Sequence, residues 1–383
     1  MIFACRQISF LTIIQYGERM YIIIDARMIN ASGIGTYIKN LLREINKYDS
    51  IRLQCIINHE HIEEVKSIGI NDYIIFKAGF FSPFEQLEYI VKLPSADIFW
   101  TPHFNTSIFS LKDKFKKRVV TIHDMFPFAY RDSYKKSHFF YIKFLMKKAA
   151  KISDLILTVS NFSKVQIIDY LDVSEEKVLV VPLGVDPDFL NTSNSSSVKK
   201  KYILCVGNVK PHKNIKRAIK AFIAVADEIP SYELVIVGKS EGFYSPEDNL
   251  KELIQGNKRV HFTGFVSIEE LKKYYSEASM LLFPSLYEGF GLPLLEAMSF
   301  GLPIAASARA SLPEVGKNAI IYFDPESVDD IGNAIVGIIN GDVKCNTLAY
   351  QSILNEYTWE KCTSETLNSF RKLVLENESS SNR

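Results

Sequence analysis

Residues 285–307 read SLYEGFGLPLLEAMSFGLPIAAS, and this stretch indicates which kind of fold the chain adopts. It follows the apolar run MLLFP at 280–284, which predicts a buried strand. Gly289 and Gly291 then allow the backbone to turn and to approach a ligand closely. Pro293 suits the first turn of a helix, so a short helix is predicted directly after the glycine turn.

The end of the stretch predicts the next strand. Gly301 followed by Pro303 is typical of a helix stop, and LPIAAS at 302–307 is again short and apolar. The same alternation of short apolar runs with helical patterns, such as 36–48 and 268–278, predicts two parallel α/β sheets. The other predicted strands are 21–25, 97–100, 118–122, 155–159, 178–182, 202–207, 233–238 and 260–264.

The length of the chain predicts two domains, because 383 residues exceed one ordinary hydrophobic core. The Ser- and Asn-rich segment NTSNSSSVKKK lacks an apolar period and is typical of a linker. Met20 precedes the first strand directly, so the residues before it are predicted to be an extension or a mis-assigned start. The predicted parts are the extension 1–19, a Rossmann-like domain 20–190, the linker 191–201, a second Rossmann-like domain 202–356, a last helix 357–376 and a tail 377–383.

The composition excludes several classes of protein. It is 47% hydrophobic and 23% charged with a net charge of +1, which is typical of a globular protein. Apolar runs are shorter than the ~18 residues that a membrane span requires. The five cysteines are scattered without a CxxC or Cys/His pattern, so neither a disulfide framework nor a zinc site is predicted. Nucleic acid is not predicted as a partner, because the chain outside 111–151 is not basic overall and contains no nucleic-acid-binding motif.

One basic segment stands out against this balanced charge. Residues 111–151 contain twelve Lys or Arg residues against three acidic residues, with aromatic residues interleaved in 139–145. A basic amphipathic helix of this type suits an anionic membrane surface. The alternative is a solvated basic face over an ordinary apolar stripe.

The two carboxylates of the opening stretch, Glu288 and Glu296, do not lie on one helical face. They therefore do not fit a hydrolase with paired carboxylates, but they can reach opposite ends of one extended ligand. A carboxylate accepts two hydroxyl hydrogen bonds, as the vicinal diol of a ribose or hexose requires. The free N–H groups at the helix start suit phosphate or sugar oxygens. The alternative is a surface turn with solvated acids.

This stretch resembles the E-x7-E signature of the retaining glycosyltransferases of family 4, which have the GT-B fold. Further segments, in the same order, resemble the group of bacterial O-antigen and capsule mannosyltransferases. The resemblance spans roughly residues 20 to 370 and implies two Rossmann-like domains facing a cleft, with the C-terminal helix crossing back to the N-terminal domain. The segments are 24–42, 121–128, 159–164, 181–189, 207–215, 262–267 and 311–319.

The resemblance implies roles on the donor side. Glu288 matches the glutamate at the donor sugar and departing phosphate, Glu296 the glutamate on the nucleotide ribose, and Lys213 the lysine on the diphosphate. A fixed cation there stabilises the charge that develops on the leaving group. The alternative for Lys213 is a solvated lysine in a basic turn. The other implied donor-binding residues are Asn208, Lys210, Phe265, Gly289, Phe290, Gly291 and Leu292.

Asn208 departs from the family pattern, because many members carry an arginine at this position. Asparagine cannot neutralise phosphate. Lys210, His212 or Lys213 must then supply the positive charge, or the diphosphate is held less strongly.

The N-terminal half supplies the remaining candidates. The resemblance makes Gly33 and Gly35 a loop over the donor phosphates and His123 a catalytic residue near the donor sugar, although a lone histidine can also be structural. Asp25, Arg27 and Asp124 are candidates for orienting that site or the acceptor. Ser160, Ser163 and Lys164 are expected to cap and brace a helix.

Together these observations predict an enzyme that transfers a hexose with retention, best interpreted as mannose from GDP-mannose. The predicted acceptor is a lipid-linked oligosaccharide in O-antigen or capsule synthesis, and the predicted location is the cytoplasmic face of the inner membrane. No metal is expected, because the D-x-D sequence Asp186–Asp188 lies beside the linker and GT-B enzymes generally need none. The alternatives are a donor carrying UDP or dTDP-rhamnose, an epimerase or phosphorylase of the same fold, and a non-catalytic GT-B partner subunit.

Overall fold

The structure is a computed structural model that describes residues 19–190, 198–239, 250–254 and 256–381. Most of the predicted extension 1–19 lies outside the described residues. So do residues 191–197 of the predicted linker and the last two residues of the predicted tail. The extent of these segments stays a prediction.

The first sheet has seven strands in the order β3-β2-β1-β4-β5-β6-β7. Neighbouring strands run parallel; for example, Ile24 lies opposite both Cys55 and Trp100. Runs of Ile and Val are buried on both faces, as parallel strands require. The strands are β1 Met20–Asp25, β2 Ile51–Ile57, β3 Tyr73–Ile75, β4 Ala96–Thr101, β5 Phe115–Thr121, β6 Leu155–Thr158 and β7 Val178–Val180.

The helices of this half connect the parallel strands. They are α1 Ser32–Ile45, α2 Ile62–Ser67, α3 Pro83–Lys92, α4 Phe126–Ala129, α5 Lys136–Ile152, α6 Asn161–Leu171 and α7 Pro187–Leu190. α1 begins four residues before the predicted helix 36–48. Its first turn therefore includes Gly33 and Gly35, which were expected in a loop.

The second sheet has six strands in the order β10-β9-β8-β11-β12-β13. The central strand β11 pairs in parallel with β8 and β12, and Leu281 lies opposite Leu204 and Ile304. The strands are β8 Tyr202–Val206, β9 Glu233–Val237, β10 Val260–Gly264, β11 Met280–Phe283, β12 Ile304–Ser307 and β13 Ile321–Phe323. The helices are α8 Ile215–Ala224, α9 Leu250–Ile254, α10 Ile268–Glu277, α11 Leu292–Ser299, α12 Leu312–Gly316, α13 Val328–Asn340, α14 Tyr350–Glu356 and α15 Trp359–Ser381.

The chain divides into two compact units. The first comprises Met1–Thr121, Leu145–Leu155 and Thr366–Arg383, and the second comprises Ile122–Phe144 and Ile156–Glu365. The core of the first unit includes Ile23, Ile56, Phe99 and Phe115, and Phe99 and Phe115 stack at 4.9 Å between ring centroids. The core of the second unit packs α8 and α13 against the second sheet through residues such as Phe222, Ile236, Leu282 and Ile335.

The last part of α15 belongs to the first unit. There the ring of Phe370 meets Trp100 at 5.3 Å between centroids, and Arg371 donates to the Ser50 hydroxyl at 3.2 Å. The crossing of this helix to the N-terminal domain, and the predicted domain boundaries, stay predictions.

Candidate active site

The second compact unit brings Lys213 and Glu288 together. Lys213 Nζ lies 2.5 Å from Glu288 Oε1, and both side chains are largely buried. Asn214 fixes the turn that carries the lysine: its φ is +57°, and its side-chain amide donates to the carbonyls of Pro284 and Pro325 at 3.0 and 2.7 Å. The lysine turn is thereby tied to the carboxyl end of β11, from which Glu288 follows.

The glycine turn after Glu288 leaves no room for side chains. A Cβ on Gly289 would lie 2.8 Å from the carbonyl oxygen of His123 and 3.0 Å from the Cβ of Asp124. Gly291 has a φ of +112°, and its Cβ would lie 2.7 Å from Leu312 Cδ2. Both glycines are therefore required, one by close approach and the other also by its left-handed backbone.

Serine hydroxyls hold the carbonyls of this turn. Ser160 donates to the Gly289 carbonyl at 2.6 Å, and Ser163 donates to the His123 carbonyl at 2.9 Å. Ser311 donates to the carbonyls of Glu288 and Phe290 at 2.9 and 2.8 Å. The predicted cap is also confirmed, since Ser160 Oγ accepts from the Ser163 amide at 3.1 Å at the start of α6. The sequence did not indicate that these serines also fix the glycine turn.

Asp124 lies beside the same turn. Burial raises the pKa of its carboxyl above the ordinary value, and the charge of Glu288 adds to this effect. The amide of Phe126 donates to its Oδ1 at 2.9 Å and opposes the shift, as do the charges of Lys213 and Lys210. The structure thus places a carboxyl group with a raised pKa next to the Glu288–Lys213 pair.

The segment after β8 carries the three residues predicted to supply positive charge. Burial lowers the pKa of His212 to about 3, and the neighbouring charges of Lys213 and Lys210 lower it further, so this histidine is neutral near pH 7. Asn208 Oδ1 accepts from the amide of Lys239 at 3.1 Å, which ties the segment after β8 to a residue just after β9. The neutral state of His212 does not fit its prediction as a source of positive charge, and the roles of Lys210 and Lys213 stay predictions.

Glu296 lies in α11 and is half-buried. Its Oε2 accepts a 2.7 Å hydrogen bond from the hydroxyl of Tyr275. Burial raises the pKa of Glu296 to about 7; the hydrogen bond from Tyr275 lowers it, and the charge of Asp186 raises it. Asp186, which belongs to the D-x-D sequence, therefore acts electrostatically on the predicted ribose-binding carboxylate.

Three other residues predicted to bind the donor differ in how far their side chains are exposed. Phe290 is buried, and its ring meets Tyr357 at 5.5 Å between centroids, so only its backbone can serve a ligand. Leu292 is half-buried at the first position of α11. Phe265 follows β10 and is 76% exposed, with Lys239 Nζ 5.2 Å from its ring centroid.

An aromatic cluster adjoins the lysine turn and was not predicted. Phe126 stacks on Tyr130 at 5.0 Å and lies 4.4 Å from the ring of His212. The ring centroid of Tyr287 lies 5.8 Å from those of Phe126 and Tyr130. The hydroxyl of Tyr287 accepts from the Met125 amide at 3.0 Å. The cluster joins the segment that follows Asp124 to Tyr287, which directly precedes Glu288.

The first unit contains the remaining predicted residues. Gly33 is exposed and has open space around its Cα, whereas a Cβ on Gly35 would lie 2.4 Å from the carbonyl oxygen of Ile29. Arg27 is fully buried and paired with Asp25 at 2.7 Å and Glu85 at 2.9 Å. Asp25 and Arg27 bind each other, so they can position neighbouring groups but are not exposed to contact an acceptor.

Metal-binding clusters and membrane-spanning helices can also be assessed from the described residues. Within the described ranges, no group of three or more His, Cys, Asp or Glu side chains lies where it could hold a metal ion. Over the same ranges, no helix is both long enough and apolar enough to cross a bilayer.

Two families match adjoining parts of the chain. Residues 31–189 match the family described as Glycosyltransferase Family 4, and residues 188–353 match Glycosyl transferases group 1. The chain is therefore a glycosyltransferase with the GT-B fold, and its two halves belong to the two families just named.

Two relatives indicate which glycosyltransferases this chain is similar to. The chain is 29% identical over 279 residues to the O-antigen chain mannosyltransferase B of Escherichia coli, a match that covers 69% of this chain and 73% of the relative. It is 35% identical over 225 residues to the O-antigen chain mannosyltransferase RfbU of Salmonella typhimurium, which covers 58% of this chain and 61% of the relative.

A solved structure shows the same fold. The Anabaena protein Alr3699/HepE, crystallised in complex with UDP and glucose, superposes with a TM-score of 0.73 at 18% identity. The match covers 92% of this chain and 100% of that chain.

Proposed function

We propose that this glycosyltransferase transfers mannose from GDP-mannose to a lipid-linked oligosaccharide in O-antigen or capsule synthesis. The observation that carries the proposal is the Glu288–Lys213 pair beside the glycine turn, in a chain whose relatives are named O-antigen mannosyltransferases. The donor would lie on the second unit, and the acceptor would lie mainly on the first.

The lysines supply the chemistry that departure of a nucleoside diphosphate requires. Lys213 and Lys210 lie close enough for their charges to interact, and this interaction together with burial lowers the pKa of Lys210. A diphosphate between them would offset their repulsion and receive stabilisation as its negative charge increases. Because this cationic pair can replace a divalent ion, we propose that transfer needs no metal.

We further propose that the anomeric configuration is retained by front-side substitution. In this mechanism the acceptor oxygen forms its bond to the anomeric carbon on the side from which the phosphate leaves, and the departing phosphate accepts the acceptor proton. Substitution of Asp124 tests the alternative mechanism, in which the enzyme forms a covalent intermediate with the sugar. Substitution D124N should slow transfer but leave it measurable under front-side substitution; loss of all transfer, with a folded protein, would favour the covalent route.

The membrane proposal rests on α5. Its aromatic residues Phe140, Tyr141 and Phe144 are 65, 40 and 54% exposed, and Lys136, Lys147 and Lys151 of the same helix are also exposed. This combination suits an anionic bilayer surface, so we propose peripheral binding at the cytoplasmic face of the inner membrane.

The first part of the basic segment does not contribute in the same way. Arg118 is buried, and burial lowers its pKa to about 10; its guanidinium donates to the carbonyls of Ser107 and Ser110 at 2.8 and 3.0 Å. Lys116 pairs with Asp97 at 2.9 Å. The proposed membrane contact is therefore restricted to α5.

The test begins with nucleotide binding. Thermal unfolding is measured with GDP, UDP and dTDP without metal, since a ligand at ~100 times its dissociation constant adds ~2.7 kcal/mol of stability. Stabilisation by GDP alone, lost in Lys213→Ala but kept in the exposed control Lys220→Ala, supports the proposal. Stabilisation by UDP or dTDP alone would overturn mannose as the donor sugar, and stabilisation by none of them would favour a non-catalytic partner subunit.

Transfer itself is then measured with GDP-mannose and membranes that contain lipid-linked glycans. Incorporation of mannose into lipid that depends on Glu288 is the expected result. Conversion of the nucleotide-sugar without any acceptor would instead indicate an epimerase.

A further inference from the structure

The D-x-D sequence at Asp186–Asp188 has no role in the proposed function, yet its neighbours lie against one predicted donor-binding residue. Asp186 Oδ1 accepts a hydrogen bond from the amide of Asp188 at 3.0 Å, at the start of the short helix α7. The next residue, Phe189, is buried, and its ring lies 5.9 Å from that of Tyr275 in α10, measured between centroids. Because Tyr275 donates to Glu296, a chain of contacts links the D-x-D sequence to that carboxylate.

The ring of Tyr275 is held by two phenylalanines. It is fully buried, stacks on Phe300 at 5.7 Å with 12° between the planes, and stands at 82° to Phe189. Phe189 also meets Phe300, at 6.3 Å and 86°, so the three rings pack into one cluster. A ring packed in this way has little rotamer freedom left to lose. The position of the Tyr275 hydroxyl is therefore set by packing before a ligand binds.

The segment that carries Phe189 is itself anchored. The amide of Val185 donates to the carbonyl of Tyr357 at 3.1 Å. A Cβ on Gly184 would overlap the backbone nitrogen of Trp359, so the two segments lie directly against each other. Phe189 thus approaches Tyr275 from a fixed backbone.

The Tyr275 hydroxyl acts on one oxygen of the half-buried Glu296. It donates to Oε2 at 2.7 Å, which restricts rotation of the carboxylate about the last bond of the side chain. An ionised carboxylate has about four lone-pair sites, so one hydrogen bond leaves most of its accepting capacity for ligand hydroxyls. The tyrosine can therefore orient the carboxylate without blocking it.

Two groups also influence the ionisation of Glu296, with opposite signs. The hydrogen bond from Tyr275, which comes from α10, favours the ionised carboxylate and lowers its pKa. The charge of Asp186, from the segment before α7, raises the same pKa. These are the titratable groups that the structure shows acting on Glu296 among the described residues, and their opposite effects allow each to be tested against the other.

We propose that Tyr275 is a positioning residue for the donor: its hydroxyl holds the Glu296 carboxylate in the orientation that accepts the ribose hydroxyls. Tyr275 is fully buried, so it acts through Glu296 and does not touch the donor. The role of Glu296 on the ribose rests on the proposed function. The role of Tyr275 rests on the ring cluster and the hydrogen bond.

The test compares calorimetric GDP affinity of the wild type and Tyr275→Phe at pH 6 and pH 9. This change keeps the buried ring but removes a hydrogen bond to a charged group, so binding should weaken about tenfold at pH 6 and less than about twofold at pH 9. Because both proteins are compared at the same pH, the ionisation of GDP itself cancels. Tyr274→Phe removes the hydroxyl of the adjacent residue, whose ring packs on Tyr202 at 6.4 Å, and should keep the wild-type profile.

Further variants test the sign and the route of the effect. Asp186→Asn can still accept the amide hydrogen bond but loses its charge, so GDP should bind about threefold more tightly at pH 6. In a Glu296→Gln background, Tyr275→Phe should have no further effect. With 2′,3′-dideoxy-GDP, which lacks both ribose hydroxyls, the difference between the wild type and Tyr275→Phe at pH 6 should disappear.

Tyr275 would lose the positioning role if Tyr275→Phe bound GDP as the wild type does, or if its loss of affinity were equal at pH 6 and pH 9. An effect that persists in the Glu296→Gln background would also overturn it. Failure of the wild type to bind GDP would contradict the proposed donor instead, and the comparison would then use UDP, which carries the same ribose. If neither binds, ¹³C NMR of labelled glutamate in the free protein decides. The Glu296 carboxyl should titrate about one pH unit higher in Tyr275→Phe, and unchanged titration would overturn the proposal.

Discussion

Lys213 and Glu288 are each other's partner, with 2.5 Å between Nζ and Oε1, although the sequence assigns them to different parts of one donor. The pair holds the lysine in position before any ligand arrives. It also means that a diphosphate must share the lysine with the glutamate. Donor binding is therefore expected to loosen this ion pair.

Removal of the Glu288 charge should separate binding from turnover. Glu288→Gln is expected to reduce mannose transfer by about 100-fold, because the carboxylate no longer holds Lys213 in position to stabilise the leaving diphosphate. GDP affinity should stay constant or rise, since Lys213 no longer shares its charge. Steady-state kinetics and calorimetric titration with GDP check both parts, and full activity in the variant would remove Glu288 from the site.

The close approach of Gly289 to His123 makes a second test. In Gly289→Ala the new Cβ would meet the carbonyl oxygen of His123 at 2.8 Å, so the turn must shift. A displacement of about 1 Å at a reacting centre can cost about 100-fold in rate. The variant should lose about 1–3 kcal/mol of stability and lose transfer; normal kinetics in the folded variant would show that the turn does not position the donor.

The raised pKa of Glu296 predicts that donor binding depends on pH. Ribose hydroxyls donate to the ionised carboxylate, whose fraction increases as the pH rises through about 7. GDP affinity should therefore increase about tenfold between pH 6 and pH 8. Calorimetry at these two values measures the change. Glu296→Gln should flatten this dependence, and an equally steep profile in that variant would assign it to another group.

The same shift has the opposite effect on the stability of the free protein. The folded state holds the proton of Glu296 up to about pH 7, whereas an unfolded chain releases it near its ordinary value. The contribution of this group to stability is therefore largest at low pH and falls as the pH rises towards 7. Denaturant unfolding of wild type and Glu296→Gln at pH 5 and pH 8 measures it.

The two glycines of α1 should respond differently to alanine. Gly33→Ala meets open space and should stabilise the helix by about 0.5–1 kcal/mol, whereas Gly35→Ala overlaps Ile29 and should cost about 1–3 kcal/mol. Denaturant unfolding measures both. If Gly33 lies over the donor phosphates, transfer should fall in the first variant although stability rises; unchanged transfer would leave Gly33 without a role in binding.

The sequence predicted the fold well where strands are continuous apolar runs. Each of the ten runs interpreted as a strand overlaps a strand of the structure. Three strands were missed for physical reasons: β2 carries Arg52 and Gln54 among its apolar residues, and β3 and β13 have only three residues each. Such strands form because they pair with neighbours, and local composition does not reveal that pairing.

The sequence predicted residues of the candidate site but not the residues that hold them in position. Glu288 and Lys213 were both predicted for the site and lie together in the structure. Ser160 and Ser163 were assigned only to a helix start, because a hydrogen bond to a carbonyl 129 residues away in sequence leaves no local pattern. The neutral state of His212 also depends on tertiary burial.

The hydrogen bond from Ser160 to Gly289 has a consequence for protein engineering. An attempt to exchange donor specificity would naturally graft the C-terminal half of a relative at the predicted linker 191–201. Such a chimera would combine a foreign glycine turn with the native serines, although both belong to one compact unit. A graft that keeps 122–144 and 156–365 together would transplant the turn with the hydroxyls that shape it, and only this graft is expected to carry the donor preference intact.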